Sequence, residues 1–146
     1  MPSELHVACD AGDFLRVVQL LAGGARIDQV DDDGITALIC ACFQGHDSVV
    51  RALLSRGARV NHASKQGFTP LFVASQNDHV TVVRVLLGAK AEINQASQAA
   101  RQDGATPLLA AIAQSKFEVV KILSRAGAPL ATPEHFQVDF IHIKKV

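Results

Sequence analysis

The stretch that decides the fold is SKQGFTPLFVASQNDHVTVVRVLLGAKAEINQA, residues 64–96. Thr69 and Pro70 predict a helix start, because a threonine hydroxyl caps a free amide and proline needs no amide partner at the first helical position. An apolar run follows, then a polar break at residues 76–78 and a second apolar run at residues 82–87. This order predicts a helix, a turn and a second helix, closed by a short extended piece.

The same pattern occurs 33 residues earlier in the chain. The matching residues of the earlier copy are Gly34, Thr36, Leu38, Ala41, His46, Val49, Val50, Leu53, Leu54, Ala58, Val60 and Asn61. Their counterparts are Gly67, Thr69, Leu71, Ala74, His79, Val82, Val83, Leu86, Leu87, Ala91, Ile93 and Asn94. A period of this length, built from two short helices, indicates a stacked repeat array.

Three segments carry a resemblance to a known family: GITALICACFQGH at 34–46, GFTPLFVASQNDH at 67–79 and GATPLLAAIAQSK at 104–116. Each is followed by a Val-Val pair and by an Ala-x-Val, Ala-x-Ile or Ala-x-Leu ending. Over about residues 3–131 the sequence resembles the ankyrin repeat family. The resemblance implies an all-α ankyrin-repeat solenoid of about four helix-turn-helix repeats, joined by short β-hairpin-like turns.

The predicted repeat array spans residues 1–131, with a C-terminal cap or tail at 132–146. Its repeats cover about 1–30, 31–63, 64–96 and 101–131, and four residues are inserted near 97–100. The first repeat lacks the turn and the Thr-Pro pair, as expected of a terminal repeat that exposes one face. The insertion is either a tolerated surface loop or a finger that reaches a partner.

Residues 132–146 leave the repeat pattern, and their apolar residues suit either a helix or a strand. Three interpretations stay open: the segment covers the open end of the fourth repeat, it binds a partner, or the chain is a piece of a longer protein.

Two turn glycines of the second repeat are replaced in the third, Gly45 by Asp78 and Gly57 by Lys90. The left-handed backbone expected there costs a lysine about 1 kcal/mol relative to glycine. The alternative is that Gly88 ends the helix early. We expect this part of the array to be the least stable connection between its repeats.

The composition disfavours several classes of partner. The chain carries 14 basic and 14 acidic side chains, so its formal net charge is zero, whereas nucleic-acid and polybasic membrane binding need excess positive charge. No apolar run approaches the length of a membrane span, and the N-terminus does not read as a secretory signal. Three cysteines, Cys9, Cys40 and Cys42, do not form a disulfide or zinc pattern. We therefore expect an intracellular location, in the cytoplasm or the nucleus.

The sequence contains no catalytic or cofactor motif. Residues 31–34, DDDG, differ from a calcium loop because Cys40 stands where the ligating glutamate is required. His46, Asp47 and Ser48 are adjacent on one predicted helix and point in different directions, so they do not form a triad. We predict a monomeric, non-enzymatic protein with no cofactor and no metal. The resemblance implies instead that His46 and His79 bond backbone.

The resemblance also assigns binding positions on the concave face: two residues before each turn glycine, one after it, and two before the helix–helix turn. In the second repeat these are Asp32, Asp33, Ile35, Phe43 and Gln44, and in the third Lys65, Gln66, Phe68, Gln76 and Asn77. In the fourth they are Gln102, Asp103, Ala105, Ala113 and Gln114.

Ile35, Phe43 and Phe68 are the informative members, because Leu38, Leu71 and the Val-Leu pattern already supply a core. The three are either an exposed apolar patch for a partner protein or contacts between neighbouring turns. The predicted function is protein–protein recognition on the concave face. The alternative is a structural or targeting segment of a larger protein that packs on its own neighbouring domain.

Overall fold

A computed structural model describes residues 1–96 and 105–129 and contains eight α-helices within those ranges. The helices are α1 (Glu4–Ala11), α2 (Phe14–Ala22), α3 (Ala37–Gln44), α4 (Asp47–Ser55), α5 (Pro70–Gln76), α6 (Val80–Gly88), α7 (Pro107–Ala113) and α8 (Phe117–Arg125). The predicted insertion at 97–100, the predicted site residues Gln102 and Asp103, and the segment 132–146 lie outside the described residues.

The helices form four antiparallel pairs that stack in two layers. Contacts run from α1 to α3, α5 and α7 in one layer, and from α2 to α4, α6 and α8 in the other. Leucines at one repeat position, Leu38, Leu71 and Leu108, are fully buried between the layers. We call the side formed by the turns and the α1–α3–α5–α7 layer the first-helix face. The predicted all-α repeat fold is confirmed, and the described residues add a single antiparallel bridge, between Val30 and Thr36.

Each first helix begins at a hydroxyl cap. The Oγ1 atoms of Thr36, Thr69 and Thr106 accept hydrogen bonds from backbone amides three residues later, at 3.3, 3.1 and 3.3 Å. The first repeat lacks the threonine, and Ser3 caps α1 in its place. Such caps satisfy amides that would otherwise be left without a partner at the helix start.

In the second and third repeats, a histidine at the start of the second helix packs over the turn of the preceding repeat. His46 Nε2 donates to the carbonyl oxygen of Asp10 at 3.0 Å, and His79 Nε2 donates to that of Phe43 at 2.8 Å. Gly12, with φ 71°, lies directly under the first ring, where an added Cβ would be 2.7 Å from His46 Nδ1. Gly45, with φ 76°, meets the His79 ring more closely still. Glycine is therefore required there by backbone conformation and by the neighbouring ring together.

In the third repeat the glycine is replaced, and the histidine that would follow it is also missing. Asp78 takes the position in the third repeat with φ 63°, and the fourth repeat has Lys116 in place of the histidine. At the other turn Lys90 adopts φ 64°, and α6 continues through Gly88, level with the end of α4. The interpretation that Gly88 ends the helix early is therefore wrong, and Lys90 carries the strain itself.

Gly45→Ala should destabilise the protein more than Gly57→Ala, which serves as its matched control. Gly57 also has positive φ, but nothing lies within 4 Å of its added Cβ, so only the backbone cost of about 1 kcal/mol applies. Urea unfolding of the two variants measures the difference. Adding His79→Ala to Gly45→Ala should give a coupling energy of about 1 kcal/mol, because it removes the ring that the new methyl meets. Two results would contradict a steric role for the histidine: equal destabilisation by Gly45→Ala and Gly57→Ala, and additive effects of Gly45→Ala and His79→Ala.

Ser75→Cys should stabilise the protein by about 1 kcal/mol, since it removes a buried hydroxyl that lacks a partner. Ser75 Oγ is fully buried and has no hydrogen-bond partner within the described residues, whereas Cys9 and Cys42 occupy the same repeat position. The control is Ser124→Ala at an exposed position of α8, which should change the free energy of unfolding by less than about 0.5 kcal/mol. A loss of stability in Ser75→Cys would show that the hydroxyl is bonded in solution.

Candidate functional site

A cavity of about 240 Å³ opens on the first-helix face between the second and third repeats. The residues that line it come from α1, α3, α5 and the two turns between them: Asp10, Ile35, Ile39, Cys40, Phe43, Phe68, Val73 and Gln76. Its lining is mainly apolar, with one carboxylate and one amide among these side chains. An apolar recess with few polar groups is the usual form of a binding site.

The three apolar residues singled out in the sequence meet at this cavity. Ile35 and Phe68 follow the two turn glycines and are half-buried against the core. The Phe68 ring packs on Phe72, with ring centroids 5.5 Å apart. Phe43, in the last turn of α3, remains 50% exposed. The two interpretations, contacts between neighbouring turns and an exposed patch, therefore apply to different residues. Ile35 and Phe68 belong partly to the packing between turns, and Phe43 is the exposed member.

Hydrogen bonds in the turns hold Ile35 and Phe68 in place. Asp31 Oδ1 accepts from the backbone amides of Asp33 and Ile35, both at 2.9 Å. In the next repeat Ser64 Oγ accepts from the amide of Phe68 at 3.1 Å. The carboxylate of Asp31 thus fixes a turn, which gives a structural role to one member of the acidic run at residues 31–33.

Bonds between repeats join these turns to each other. The Lys65 amide donates to the carbonyl oxygen of Asp33 at 2.9 Å, and within the second repeat His62 Nε2 donates to that of Gly34 at 3.0 Å. His6 Nε2 donates to the carbonyl oxygen of Ile35 at 2.8 Å. Backbone groups on both sides of the cavity are therefore tied to neighbouring repeats.

The end of α3, which carries Phe43, is held by the third repeat. The carbonyl oxygen of Phe43 accepts hydrogen bonds from His79 Nε2 at 2.8 Å and from Asn77 Nδ2 at 3.2 Å. This agrees with the backbone-bonding role that the resemblance implied for His46 and His79. Gln44 Nε2 donates to Asp10 Oδ1 at 3.0 Å, so two predicted site residues, Gln44 and Asn77, also link repeats.

The remaining predicted residues lie along the same face or outside the described ranges. Asp32, Asp33, Lys65, Gln66, Ala113 and Gln114 are exposed, Gln76 lines the cavity, and Ala105 is buried. Sequence reasoning missed four lining residues, Asp10, Ile39, Cys40 and Val73. Asp10 could have been found, since it occupies the repeat position of Phe43 and Gln76. The other three were not singled out by sequence reasoning.

The cysteines are thiols with little tendency to ionise. Burial, with a contribution from Cys40, raises the pKa of Cys9 from 9.0 to about 12. Burial, assisted by the carboxylates of Asp10 and Asp31, raises the pKa of Cys40 to about 11. Burial also raises the pKa of Cys42. Since the thiolate is the nucleophile and the metal ligand, none of them has the properties of a reactive cysteine near neutral pH.

Neither a metal-ligand cluster nor a membrane-spanning helix occurs in the described part of the chain. Residues 1–96 and 105–129 contain no group of three or more His, Cys, Asp or Glu side chains arranged to hold a metal ion. None of the helices in these ranges is long and apolar enough to cross a lipid bilayer.

The repeat pattern was compared with known protein families and curated proteins. A family model described as ankyrin repeats, in three copies, matches residues 5–97 of this chain. No curated protein matches it. The matched segment contains α1 from its second residue, α2 to α6, and every residue that lines the cavity.

Stability should fall as pH rises above 9, because the cysteines ionise in the unfolded chain before they ionise in the folded one. Below pH 9 the thiols are protonated in both the folded and the unfolded chain, so the cysteines do not make stability depend on pH. Between pH 9 and about 11 to 12 the loss of stability grows. Each thiol should contribute a slope of up to about 1.4 kcal/mol per pH unit. The variant Cys9→Ala/Cys40→Val/Cys42→Ala should show a shallower decline in urea unfolding. An unchanged slope would mean that the thiols are not buried in solution.

Proposed function

This chain belongs to the ankyrin repeat family, whose members are generally protein–protein interaction modules and typically non-catalytic, and we propose that it binds a partner protein on its first-helix face. The cavity between the second and third repeats is the observation that carries this proposal. It joins an apolar recess to the exposed ring of Phe43, in a region rimmed by polar side chains. Exposed apolar groups with a polar rim are characteristic of protein-binding surfaces.

The hydrogen bonds around the cavity support recognition by a preformed surface. Asp31 and Ser64 hold the two turns, and His79 and Asn77 hold the end of α3. A surface whose backbone is already fixed loses little conformational entropy when a partner binds. Binding then requires adjustment of side chains only, chiefly Phe43.

The same observations guide the proposed class of partner and location. With zero net charge and apolar groups at the recess, we propose a protein partner rather than nucleic acid or membrane, bound by a monomer. The protonated thiols are compatible with a reducing intracellular compartment.

Phe43→Ala should abolish most partner capture and leave the thermal midpoint nearly unchanged, because the ring is half exposed and its removal takes away contact area rather than core. Phe117→Ala is a matched control: its ring is 54% exposed, against 50% for Phe43, but lies at the start of α8 in the other layer. Capture from a lysate of the native cell by the whole chain, followed by quantitative mass spectrometry, compares the variants. We expect at least about a tenfold loss for Phe43→Ala and none for Phe117→Ala. Equal losses, or no loss, would contradict binding on the first-helix face.

A further inference from the structure

We propose that the cavity takes a bulky apolar side chain of the partner and that Asp10 binds a lysine or arginine lying beside it in the same segment. This inference rests on the proposed function and adds the chemistry of the segment that is recognised. The partner is thus a protein that presents an apolar anchor next to a cationic residue.

The volume of the cavity sets the size of the anchor. A cavity of about 150 Å³ lined by apolar side chains holds a benzene molecule. The present cavity, at about 240 Å³, therefore has room for one aromatic or branched aliphatic side chain. Ile39 and Val73 form its inner wall, and both are buried in the stack, so they supply a dry apolar surface. Phe43 and Phe68 flank it and would contact the anchor from the two repeats.

The charge beside the anchor comes from Asp10. Asp10 lines the cavity, and its Oδ1 accepts a hydrogen bond from Gln44 Nε2 at 3.0 Å. An ionised carboxylate accepts several hydrogen bonds, so capacity remains for a cation. Asp33, exposed on the adjoining turn, adds a second negative charge on this side.

The two other carboxylates of the acidic run are already engaged. Asp31 holds the turn through the amides of Asp33 and Ile35. Asp32 accepts a 2.7 Å hydrogen bond from the terminal amine of Met1, which together with Lys65 lowers the pKa of its carboxyl. Asp10 and Asp33 are therefore the pair to test.

The second-helix layer carries more cations than carboxylates, which helps to orient a cationic partner. Arg51, Arg84 and Lys121 occupy one repeat position on α4, α6 and α8, and all three are exposed. The described second helices also carry Asp47 and Glu118, and Lys65 lies on the first-helix face, so the separation of charge is partial: carboxylates predominate beside the cavity and cations on the second-helix layer. Such a distribution attracts a basic segment to the cavity and repels it from the other layer.

The geometry also limits where the cation stands in the segment. Asp10 is itself part of the cavity wall, so the cationic residue must lie close to the anchor. An extended chain advances about 3.3 Å per residue. We therefore expect the lysine or arginine within about two positions of the apolar anchor.

A peptide library displayed on phage, with random twelve-residue inserts, tests this on the whole immobilised chain. The selected peptides should share an aromatic, leucine or isoleucine residue with a lysine or arginine within two positions. Fluorescence anisotropy with a synthetic selected peptide then gives Kd values. Phe43→Ala should weaken binding at least about tenfold, and Asp10→Asn/Asp33→Asn by about three- to tenfold with a smaller dependence on salt. Replacing the basic residue of the peptide by glutamine should remove the effect of the aspartate substitutions.

Glu92→Gln/Glu118→Gln is the matched charge control, because it removes two exposed carboxylates away from the cavity and should leave Kd unchanged. Thermal unfolding checks that every variant is folded. Peptides that depend on Phe43 but lack a basic residue, or that ignore Asp10→Asn/Asp33→Asn, would overturn this inference and leave the proposed function standing. Absence of any selected peptide, or binding insensitive to Phe43→Ala, would overturn both.

Discussion

One hydrogen bond sets how the repeats stack. A histidine at the start of a second helix donates it to a carbonyl at the end of the first helix of the preceding repeat. His46 and His79 make this bond to Asp10 and Phe43. The last carbonyls of a helix have no partner within it, so the neighbouring repeat completes the ends of α1 and α3. The imidazole must lie almost on the turn to reach, which is why Gly12 and Gly45 carry no side chain.

This constraint leads directly to the candidate site. Because the carbonyl of Phe43 is fixed by the third repeat, the ring of Phe43 is presented at a defined place beside the cavity. A second set of bonds acts at the repeat exits, where Asp28 and Asn61 accept from the amides of Arg59 and Glu92 at 3.0 and 2.8 Å. Repeats joined at the turns, the helix ends and the exits form a surface that has its shape before a partner binds.

Much of the fold was predictable from the sequence because its cause is local and repeated. The threonine caps, the positive φ at Asp78 and Lys90, and the roles of His46 and His79 each follow from residue type at a known repeat position. The site was predictable only in part. Apolar type identified Ile35, Phe43 and Phe68, but their division into half-buried and exposed members depends on ring packing such as that of Phe68 on Phe72. The contact of Asp10 with the cavity depends on the stacking of α1 on α3, although the repeat position that Asp10 shares with Phe43 and Gln76 could have pointed to it.

Amide chemical-shift mapping of the whole chain with a bound partner segment is the most direct test of recognition on the first-helix face. The account predicts that the largest changes fall on the residues around the cavity, led by Ile35, Phe43 and Phe68, with little change along α4, α6 and α8. Changes concentrated on those second helices, with the cavity residues unaffected, would contradict it.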